Sequence, residues 1–210
     1  MAVDHFAQKA ARYEDNPSRV DNVATIAEAI LRRFAFRPAM HLIDFGSDTG
    51  LLLEKIAPYV DRITAIDVSP AMNRQLADKR SRIACELELL EVDLEKTTLP
   101  LRVDGIISSM TMHHIADTAA MFAKFHAMLR DGGFIAIADL DCEDGSFHSE
   151  DTGVFHHGFE REAFAKLPAD AGFASVRLDS VSVLRKPQGE YGVFLLSARR
   201  PGPDLANAQR

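Results

Sequence analysis

The sequence LIDFGSDTG, residues 42–50, contains a strand, a tight turn and the approach to a helix. The apolar run 41–45 has the length of a buried strand, and Gly46 and Gly50 mark the turn that follows it. Apolar residues then recur at helical spacing over 51–56. This order predicts the first crossover unit of an open α/β sheet, with a ligand expected where the strand ends and the helix begins.

The same alternation runs along most of the chain. Apolar runs predict further strands at 63–67, 87–92, 105–109 and 134–139, and helical spacing predicts helices at 17–34, 70–81, 118–129 and 160–171. Two long extended runs, 175–183 and 191–199, close the pattern, and the connection between them is too short for a parallel crossover. We therefore predict a Rossmann-like sheet of seven strands with helices on both faces and a C-terminal antiparallel hairpin.

The chain has 210 residues, of which 47% are apolar and 26% charged, a composition typical of a globular α/β domain. We expect a single domain over 1–200, in which 1–36 form cap or lid helices. The segment 201–210 is rich in Pro, Asn and Ala, and we predict a flexible tail.

The charge and the cysteine content of the chain indicate which kinds of partner it binds and in which cellular compartment we expect it. There are 24 Lys and Arg against 31 Asp and Glu, a formal net charge of −7, which argues against nucleic acid as a partner. Cys85 and Cys142 cannot form a disulfide framework. The longest stretch without Asp, Glu, Lys or Arg, 105–116, is too short to cross a membrane, and the first residues lack the apolar centre of a signal peptide. We expect a cytoplasmic protein with no membrane span.

Three acidic residues, Asp44, Asp67 and Asp93, stand at the ends of three predicted strands. Because the carboxyl ends of parallel strands meet at one edge of a sheet, we expect them around one ligand. Asp67 follows Gly46 by 21 residues, a place from which a carboxylate accepts hydrogen bonds from ribose hydroxyls. Three carboxylates suit an adenosine ligand that carries positive charge better than one that carries phosphates.

Two other classes of glycine loop do not fit the sequence. A nicotinamide or flavin site needs Gly-x-Gly-x-x-Gly, and this loop has Gly46, Asp48 and Leu51 at those places. A carboxylate beside a pyrophosphate would be repulsive. The Gly-Lys-Ser/Thr of a P-loop does not occur in the chain.

Over about residues 6–199 the chain resembles the class I S-adenosylmethionine-dependent methyltransferases, of the branch that includes the C-methyltransferases of ubiquinone and menaquinone biosynthesis. The segments that carry the resemblance are DFGSDTG at 44–50, IDVSPAM at 66–72, EVDL at 91–94, IISSMTMHHI at 106–115 and LRDGGF at 129–134. They are similar, in order, to the family's glycine loop, its ribose and adenine segments, its methionine and acceptor segment, and its Leu-x-Pro-Gly-Gly turn, with Asp131 in place of Pro.

The resemblance implies S-adenosylmethionine as cofactor and in-line displacement of its methyl group by a small-molecule acceptor. The family's fold, a seven-stranded sheet with the last strand inserted antiparallel, agrees with the hairpin predicted above. The cofactor-binding residues that the resemblance implies are Tyr13, Asp44, Gly46, Ser47, Gly50, Asp67, Val68, Met72, Asp93, Leu94 and Ser109.

One position departs from the family pattern, because Asp48 stands where the family's loop has its middle glycine. Glycine is common there since the backbone passes close to the ligand, although Asp tolerates positive φ better than most residues. Two interpretations follow: a variant loop that still binds the cofactor, or a weakened cofactor site.

His113, in the loop after the fourth strand, is the predicted catalytic residue. A general base is needed only if the acceptor carries a proton that must leave. The alternative roles for His113 are shaping the pocket or packing the loop. The cofactor chemistry requires no metal.

The long loop 142–159 is the predicted acceptor wall, because loops of this length are often lids or binding loops. Its segment FHHGF resembles a motif of bacterial small-molecule methyltransferases. The residues predicted to bind the acceptor are His148, Phe155, His156 and Phe159; the alternative is a surface loop anchored by its Phe side chains. A metal site built from His148, Glu150, Asp151, His156 and His157 matches no known ligand spacing, so we expect none.

The N-terminal segment 6–14 is similar to the short helix that folds over the cofactor in this family, with Tyr13 near the methionine end and Arg19 near its carboxylate. The alternative is an ordinary amphipathic cap on the sheet. The leading hypothesis is a methyltransferase of a small neutral or apolar-aromatic metabolite. A protein or nucleic-acid methylase is disfavoured by the missing basic stripe, and a non-catalytic sensor of S-adenosylmethionine or another adenosine ligand stays open because of Asp48.

Overall fold

The computed structural model describes Ala7, residues 9–148, Glu150 and residues 152–202. The strands are β1 His41–Phe45, β2 Arg62–Asp67, β3 Glu86–Glu91, β4 Val103–Ser109, β5 Leu129–Leu140, β6 Ala174–Lys186 and β7 Gly189–Arg199. The α-helices are α1 Pro17–Arg33, α2 Leu51–Ile56, α3 Pro70–Asp78, α4 Thr118–Met128 and α5 Arg161–Asp170. Short 3-10 helices lie at Ala10–Asp15, Ala57–Tyr59, Arg80–Arg82 and Met112–His114.

One seven-stranded sheet runs through the described part of the chain in the order β3-β2-β1-β4-β5-β7-β6. The first five strands are parallel; Ile43 of β1, for example, pairs with Thr64 of β2 on one side and Ile106 of β4 on the other. Strand β7 is antiparallel to both of its neighbours, β5 and β6. The predicted fold is confirmed, including the antiparallel hairpin at the end.

The helices begin where the sequence offers side-chain caps. The side chain of Asn16 accepts from the backbone N–H of Arg19 at 3.4 Å, and Pro17 occupies the first turn of α1. The Ser69 hydroxyl caps α3 in the same way by accepting from Met72 at 3.2 Å, and the Asp117 carboxylate caps α4. These caps place the helix starts at the carboxyl ends of the strands, next to the ligand edge of the sheet.

Apolar cores cover both faces of the sheet. Successive residues of β1 illustrate the division, because Leu42 packs into the core under α1, α2 and α3, whereas Ile43 packs into the core under α4 and α5. Both side chains are fully buried. This double coverage leaves the two ends of the strands, and not a face of the sheet, available to a ligand.

Several element boundaries differ from the predictions, most of all in the last three strands. Strand β5 begins at Leu129 and so contains Gly132 and Gly133, which were predicted to form a turn before the strand. Strands β6 and β7 extend to Lys186 and from Gly189, so the turn between them is shorter than predicted. At the β6–β7 turn, pairing between the two strands extends both beyond their apolar runs. In β5, Leu129 pairs with Val103, but the register shifts before Phe134 and Gly132 has φ +76°, so the predicted turn is an irregular segment within the strand. Within the predicted tail, residues 203–210 lie outside the described residues. No helix in the described ranges has the length and apolar character required to cross a membrane.

Candidate active site

A cavity of about 530 Å³ opens at the carboxyl ends of β1, β2 and β4. This volume is within the range of small-molecule sites. Its wall comes from four regions that are distant in sequence: the N-terminal segment, the strand ends, the loop after β5 and the β6–β7 hairpin. Of the predicted cofactor residues, nine line it: Tyr13, Asp44, Gly46, Ser47, Asp67, Val68, Asp93, Leu94 and Ser109.

The glycine loop adopts the left-handed backbone at several positions. Gly46 has φ +68°, and a Cβ placed on it would lie 2.2 Å from Thr111 Oγ1, so only glycine fits there without a shift of Thr111. Gly50 has φ +89° and approaches Leu76 in the core. Gly50 therefore shapes the loop from behind and lies outside the cavity wall, as does Met72, which is fully buried.

Asp48 also has a left-handed backbone, with φ +48°. Its N–H donates to Asp67 Oδ2 at 2.9 Å, and its carboxylate accepts from the Tyr13 hydroxyl at 2.7 Å. Asp tolerates this conformation better than most residues. The residue that departs from the family's glycine thus has a defined place in the cavity wall, between the N-terminal segment and the end of β2.

Three carboxylates, those of Asp44, Asp48 and Asp67, crowd the floor of the cavity. Burial, together with the charges of Asp48 and Asp67, raises the pKa of Asp44 well above its usual value. Burial and the Asp67 charge raise the pKa of Asp48 to about 7, against the opposing hydrogen bond from Tyr13. A ligand with positive charge would relieve this repulsion, and one with phosphates would increase it.

Several buried polar atoms at the ends of β1 and β4 have no hydrogen-bond partner among the described residues. Asp44 Oδ2, Ser47 Oγ and Ser109 Oγ are buried and have no hydrogen-bond partner within the described part of the chain. Buried polar groups in native proteins are nearly always hydrogen-bonded. These atoms therefore indicate a polar ligand at the ends of β1 and β4.

Asp93 stands apart from the buried carboxylates, on the open side of the cavity. It accepts from the backbone N–H of Glu95 at 2.9 Å and from Lys96 Nζ at 2.6 Å. Burial alone would raise the pKa of Asp93, but the bonds from Lys96 and Glu95 outweigh it and lower that pKa. Val68, 60% exposed, lines the same open side, so this end of the cavity is the part in contact with solvent.

The N-terminal segment closes one side of the cavity. Glu14 accepts from the Thr49 hydroxyl at 2.7 Å and pairs with Lys79, which ties the 3-10 helix Ala10–Asp15 to the glycine loop. The Arg19 guanidinium lies 3.9 Å from the centre of the Tyr13 ring and donates to the Tyr13 carbonyl. The part of the predicted lid segment before Ala7, together with Gln8, lies outside the described residues.

His113 forms a buried pair with Asp139 at the cavity. His113 lies in the 3-10 helix after β4, Asp139 lies near the end of β5, and both are almost completely buried. His113 Nδ1 is 2.7 Å from Asp139 Oδ1, and the His113 backbone N–H donates to Asp139 Oδ2 at 3.3 Å. Asp139 is not among the predicted site residues, although it shares with Asp44 and Asp67 the signal of an acidic residue at the end of an apolar strand.

Only one of the four predicted acceptor-binding residues, His148, lines the cavity. Phe155 is 63% exposed, and its N–H donates to the His113 carbonyl at 3.0 Å. His156 Nε2 donates to the Ile115 carbonyl at 2.9 Å. Phe159 pairs with the end of β5 and stacks on Phe164 in the core, with ring centres 4.2 Å apart. The predicted wall is therefore corrected, because the loop folds back onto the sheet and these three residues support the turn of His113 or the core.

The rest of the cavity wall comes from the β6–β7 hairpin and from the start of the loop 142–159. Lys186 Nζ donates to the Phe147 carbonyl at 2.6 Å and lies 3.5 Å from the centre of the Phe147 ring. Leu184 and Phe147 add apolar surface. The sequence predicted the hairpin but had no signal for where it folds, since that depends on the pairing of β7 with β5.

Comparisons with known proteins find methyltransferases. A family described as "Methyltransferase domain" matches residues 43–135. An uncharacterized methyltransferase of Schizosaccharomyces pombe is 28% identical over 204 residues, which cover 86% of this chain and 70% of the relative. A Haloferax volcanii protein described as a methyltransferase, solved with the Trm112 methyltransferase activator, has a TM-score of 0.76 at 19% identity and covers 96% of this chain and 100% of its own.

A phosphoethanolamine N-methyltransferase of Haemonchus contortus, solved with phosphomonomethylethanolamine and S-adenosylhomocysteine, has a TM-score of 0.71 at 14% identity over 94% of this chain and 59% of its own. The fold is that of the class I methyltransferases. The chain is an S-adenosylmethionine-dependent methyltransferase, and its cofactor is S-adenosylmethionine. The residues present fit this cofactor, because crowded carboxylates suit its sulfonium charge and unpartnered buried oxygens suit its polar groups.

Proposed function

We propose that the chain methylates a small-molecule acceptor that enters the cavity beside His113 and His148. The observation that carries this proposal is the buried pair of His113 and Asp139, in which the His113 side chain lines the same cavity as the strand-end carboxylates. When bound, S-adenosylmethionine supplies a methyl group already activated by the sulfonium charge. The protein's own tasks are then to align the acceptor, to exclude water and to take up a proton.

The cofactor would be held by residues from each strand end. Asp67 suits the ribose hydroxyls, and Asp93 with Leu94 suits the adenine, on the open side that Val68 also lines. Gly46, Ser47, Asp44 and Ser109, with Tyr13 above them, suit the methionine part. Gly50 and Met72 support these contacts from behind the wall.

His113 is the proposed general base. The Asp139 carboxylate accepts from His113 Nδ1 and so favours the tautomer whose Nε2 carries a lone pair. When an acceptor atom took the methyl group, the bond from the methyl carbon to sulfur would break with its electron pair left on the neutral thioether, and the acceptor's hydrogen would leave as a proton to His113 Nε2. The Asp139 side chain, 2.7 Å from His113 Nδ1, would hold the resulting ring in place through that hydrogen bond.

The character of the wall supports an acceptor with an apolar body and a protic group. Phe147 and Leu184 provide apolar surface, and Lys186 places a cation at its edge. Burial and the charges of His113 and His114 lower the pKa of His148 to about 3, so that its ring is neutral near pH 7. A neutral ring next to His113 favours proton uptake at His113, because it adds no positive charge there.

The same pair favours an enzyme over the non-catalytic sensor, because a sensor needs no proton acceptor. Two further points stay predictions. One is that residues 1–200 form a single domain with an N-terminal lid. The other is that the chain belongs to the branch with the ubiquinone and menaquinone C-methyltransferases. Glu14 and Tyr13 support the lid through their bonds to the glycine loop.

The test is formation of S-adenosylhomocysteine with a panel of phenols, thiols, amines and carbon acids. With an active acceptor, we expect His113→Asn to lower kcat about 10²–10⁴-fold and to leave the Kd for S-adenosylmethionine within about twofold. His157→Asn is the matched control, because His157 is exposed and lies outside the cavity wall.

Full turnover by His113→Asn would contradict the base. Cofactor binding without turnover across the panel would favour the sensor. Asp139→Asn tests whether Asp139 positions His113 or only stabilises the fold. We expect this variant to lower kcat and to shift the pH profile of kcat, while thermal unfolding of the protein remains cooperative.

A further inference from the structure

Three histidines meet at the acceptor side of the cavity: His113 and His114 from the turn after β4, and His148 from the loop after β5. One ligand atom of each lies within 4.8 Å of the others, and all three rings line the cavity. We infer that this cluster, the triple-histidine site, binds a divalent transition metal ion of the zinc class.

The separation of two of the nitrogens matches a shared ion. His113 Nε2 and His148 Nε2 are 3.3 Å apart. Two nitrogens on one tetrahedral zinc ion, each about 2.0–2.1 Å from it, are about 3.3–3.4 Å apart. The two rings thus already have the spacing that the ion requires.

The opposite nitrogen of each of these rings has an oxygen partner. His113 Nδ1 lies 2.7 Å from Asp139 Oδ1, and His148 Nδ1 lies 3.1 Å from Thr152 Oγ1. Metal-binding histidines usually donate their other ring N–H to such an oxygen, which fixes the tautomer and points the lone pair at the ion. Thr152 lines the cavity, and Asp139 is buried behind its wall.

His114 supplies the third ligand. Its ring centre is 4.3 Å from that of His113 and 5.7 Å from that of His148, and its Nδ1 lies 3.4 Å from the Gly153 carbonyl. Three protein ligands beside a cavity leave a fourth position for a water or an acceptor atom, as in catalytic zinc sites. An all-imidazole set suits zinc, copper or nickel better than magnesium or calcium.

The ligands differ from the set that sequence spacing offered. Glu150 pairs with Lys9 at 2.8 Å, and His156 donates to the Ile115 carbonyl. Asp151 lies outside the described residues. Only His148 is common to both sets, because the fold brings the turn after β4 against the loop after β5.

Binding of the ion has a consequence that rests on the proposed function. His113 Nε2 cannot hold an ion and accept a proton at the same time. A bound ion therefore removes the proposed base, and we expect zinc to inhibit methyl transfer to acceptors that must lose a proton.

The test measures the ion directly, on full-length protein freed of metal by a chelator that is then removed. We expect one Zn²⁺ per chain by calorimetry, and Co²⁺ to give the visible absorption of a tetrahedral site. His148→Asn is expected to weaken Zn²⁺ binding at least 100-fold, and Asp139→Asn about 10–100-fold. His157→Asn, the matched control, keeps the affinity.

Absence of Zn²⁺ binding, or binding that His148→Asn leaves unchanged, would overturn the site. His114→Asn, with thermal unfolding measured alongside, repeats the comparison if His148→Asn folds poorly. Turnover without Zn²⁺ binding would mean that the three rings only relay a proton. Zn²⁺ binding in a protein that turns over no acceptor would uphold the site and count against the proposed function.

Discussion

The hydroxyl of Tyr13 donates a hydrogen bond to the carboxylate of Asp48 at 2.7 Å. It joins the N-terminal segment to the loop residue that departs from the family's glycine pattern. Asp48 is held in the cavity wall by two hydrogen bonds: its N–H donates to Asp67, and its carboxylate accepts from the Tyr13 hydroxyl. This arrangement favours a variant loop that binds the cofactor over a loop damaged by the loss of glycine.

Loss of this hydrogen bond should weaken cofactor binding. A net hydrogen bond contributes about 0.5–1.5 kcal/mol, so we expect Tyr13→Phe to raise the Kd for S-adenosylmethionine by up to about tenfold in calorimetry. Tyr59→Phe is the control, since Tyr59 is half exposed and outside the cavity. Equal affinity of Tyr13→Phe and wild type would show that Tyr13 does not hold the loop.

Cofactor affinity should rise with pH because of Asp48. Burial and the Asp67 charge raise the pKa of Asp48 to about 7, so its carboxylate is mostly protonated at pH 6 and mostly ionised at pH 8. The ionised form attracts the sulfonium, and we expect S-adenosylmethionine to bind up to about tenfold more tightly at pH 8 than at pH 6.

S-adenosylhomocysteine lacks the sulfonium charge, and its affinity should rise less over the same range. Asp48→Asn keeps an acceptor for Tyr13 but removes the charge. We expect this variant to bring the two ligands' pH dependences closer together. If the two ligands still differed in pH dependence as much as they do with the wild type, the pH dependence would arise from Asp44 or Asp67 and not from Asp48.

Alanine substitutions at two glycines with positive φ can distinguish the cost of backbone strain from the cost of a steric clash. Gly46 and Gly132 have φ +68° and +76°, but a Cβ would overlap Thr111 at Gly46 and meet nothing within 4 Å at Gly132. Gly132→Ala should lower the free energy of unfolding by about 1–2 kcal/mol. Gly46→Ala should lower it further and also abolish tight cofactor binding. Similar losses in both variants, measured by denaturant unfolding and calorimetry, would mean that the approach to Thr111 is unimportant.

Removal of the N-terminal segment should weaken the site without unfolding the core. A chain lacking residues 1–16 loses the bonds of Tyr13 and Glu14 to the glycine loop and the Asn16 cap of α1, but it keeps the residues of every described strand and α-helix. We expect a higher Kd for S-adenosylmethionine and an unchanged far-ultraviolet circular dichroism spectrum per residue. Unchanged affinity would leave the segment as an ordinary cap and not a lid.

Local patterns predicted most of the fold. Periodicity and the caps Asn16 and Ser69 placed the strands and helices within a few residues, because these signals act through neighbours in sequence. The differences lie at Gly132 and Gly133, an irregular segment that a single pairing of Leu129 joins to β5, and at the turn after Lys186, where pairing extends both strands. Strand pairing is a contact between distant segments, and the local sequence does not contain it.

The candidate site was only partly predictable for the same reason. Asp44 and Asp67 meet because the ends of parallel strands must meet. Asp139 is at such an end too but was missed, since no family motif pointed to it. The length of the loop and the resemblance of its FHHGF segment place Phe155 and Phe159 in the acceptor wall, but neither signal contains the direction in which a loop turns.

The sequence by itself determined the α/β sheet, its terminal hairpin, the strand-end carboxylates and the class of cofactor, because each depends on short-range patterns or on the order of motifs. Only the tertiary structure decided that Asp139 orients His113, that Asp48 lies under Tyr13, and that His148 meets His113 and His114. These relationships join segments 26 to 35 residues apart. They depend on how loops pack against the ends of the strands.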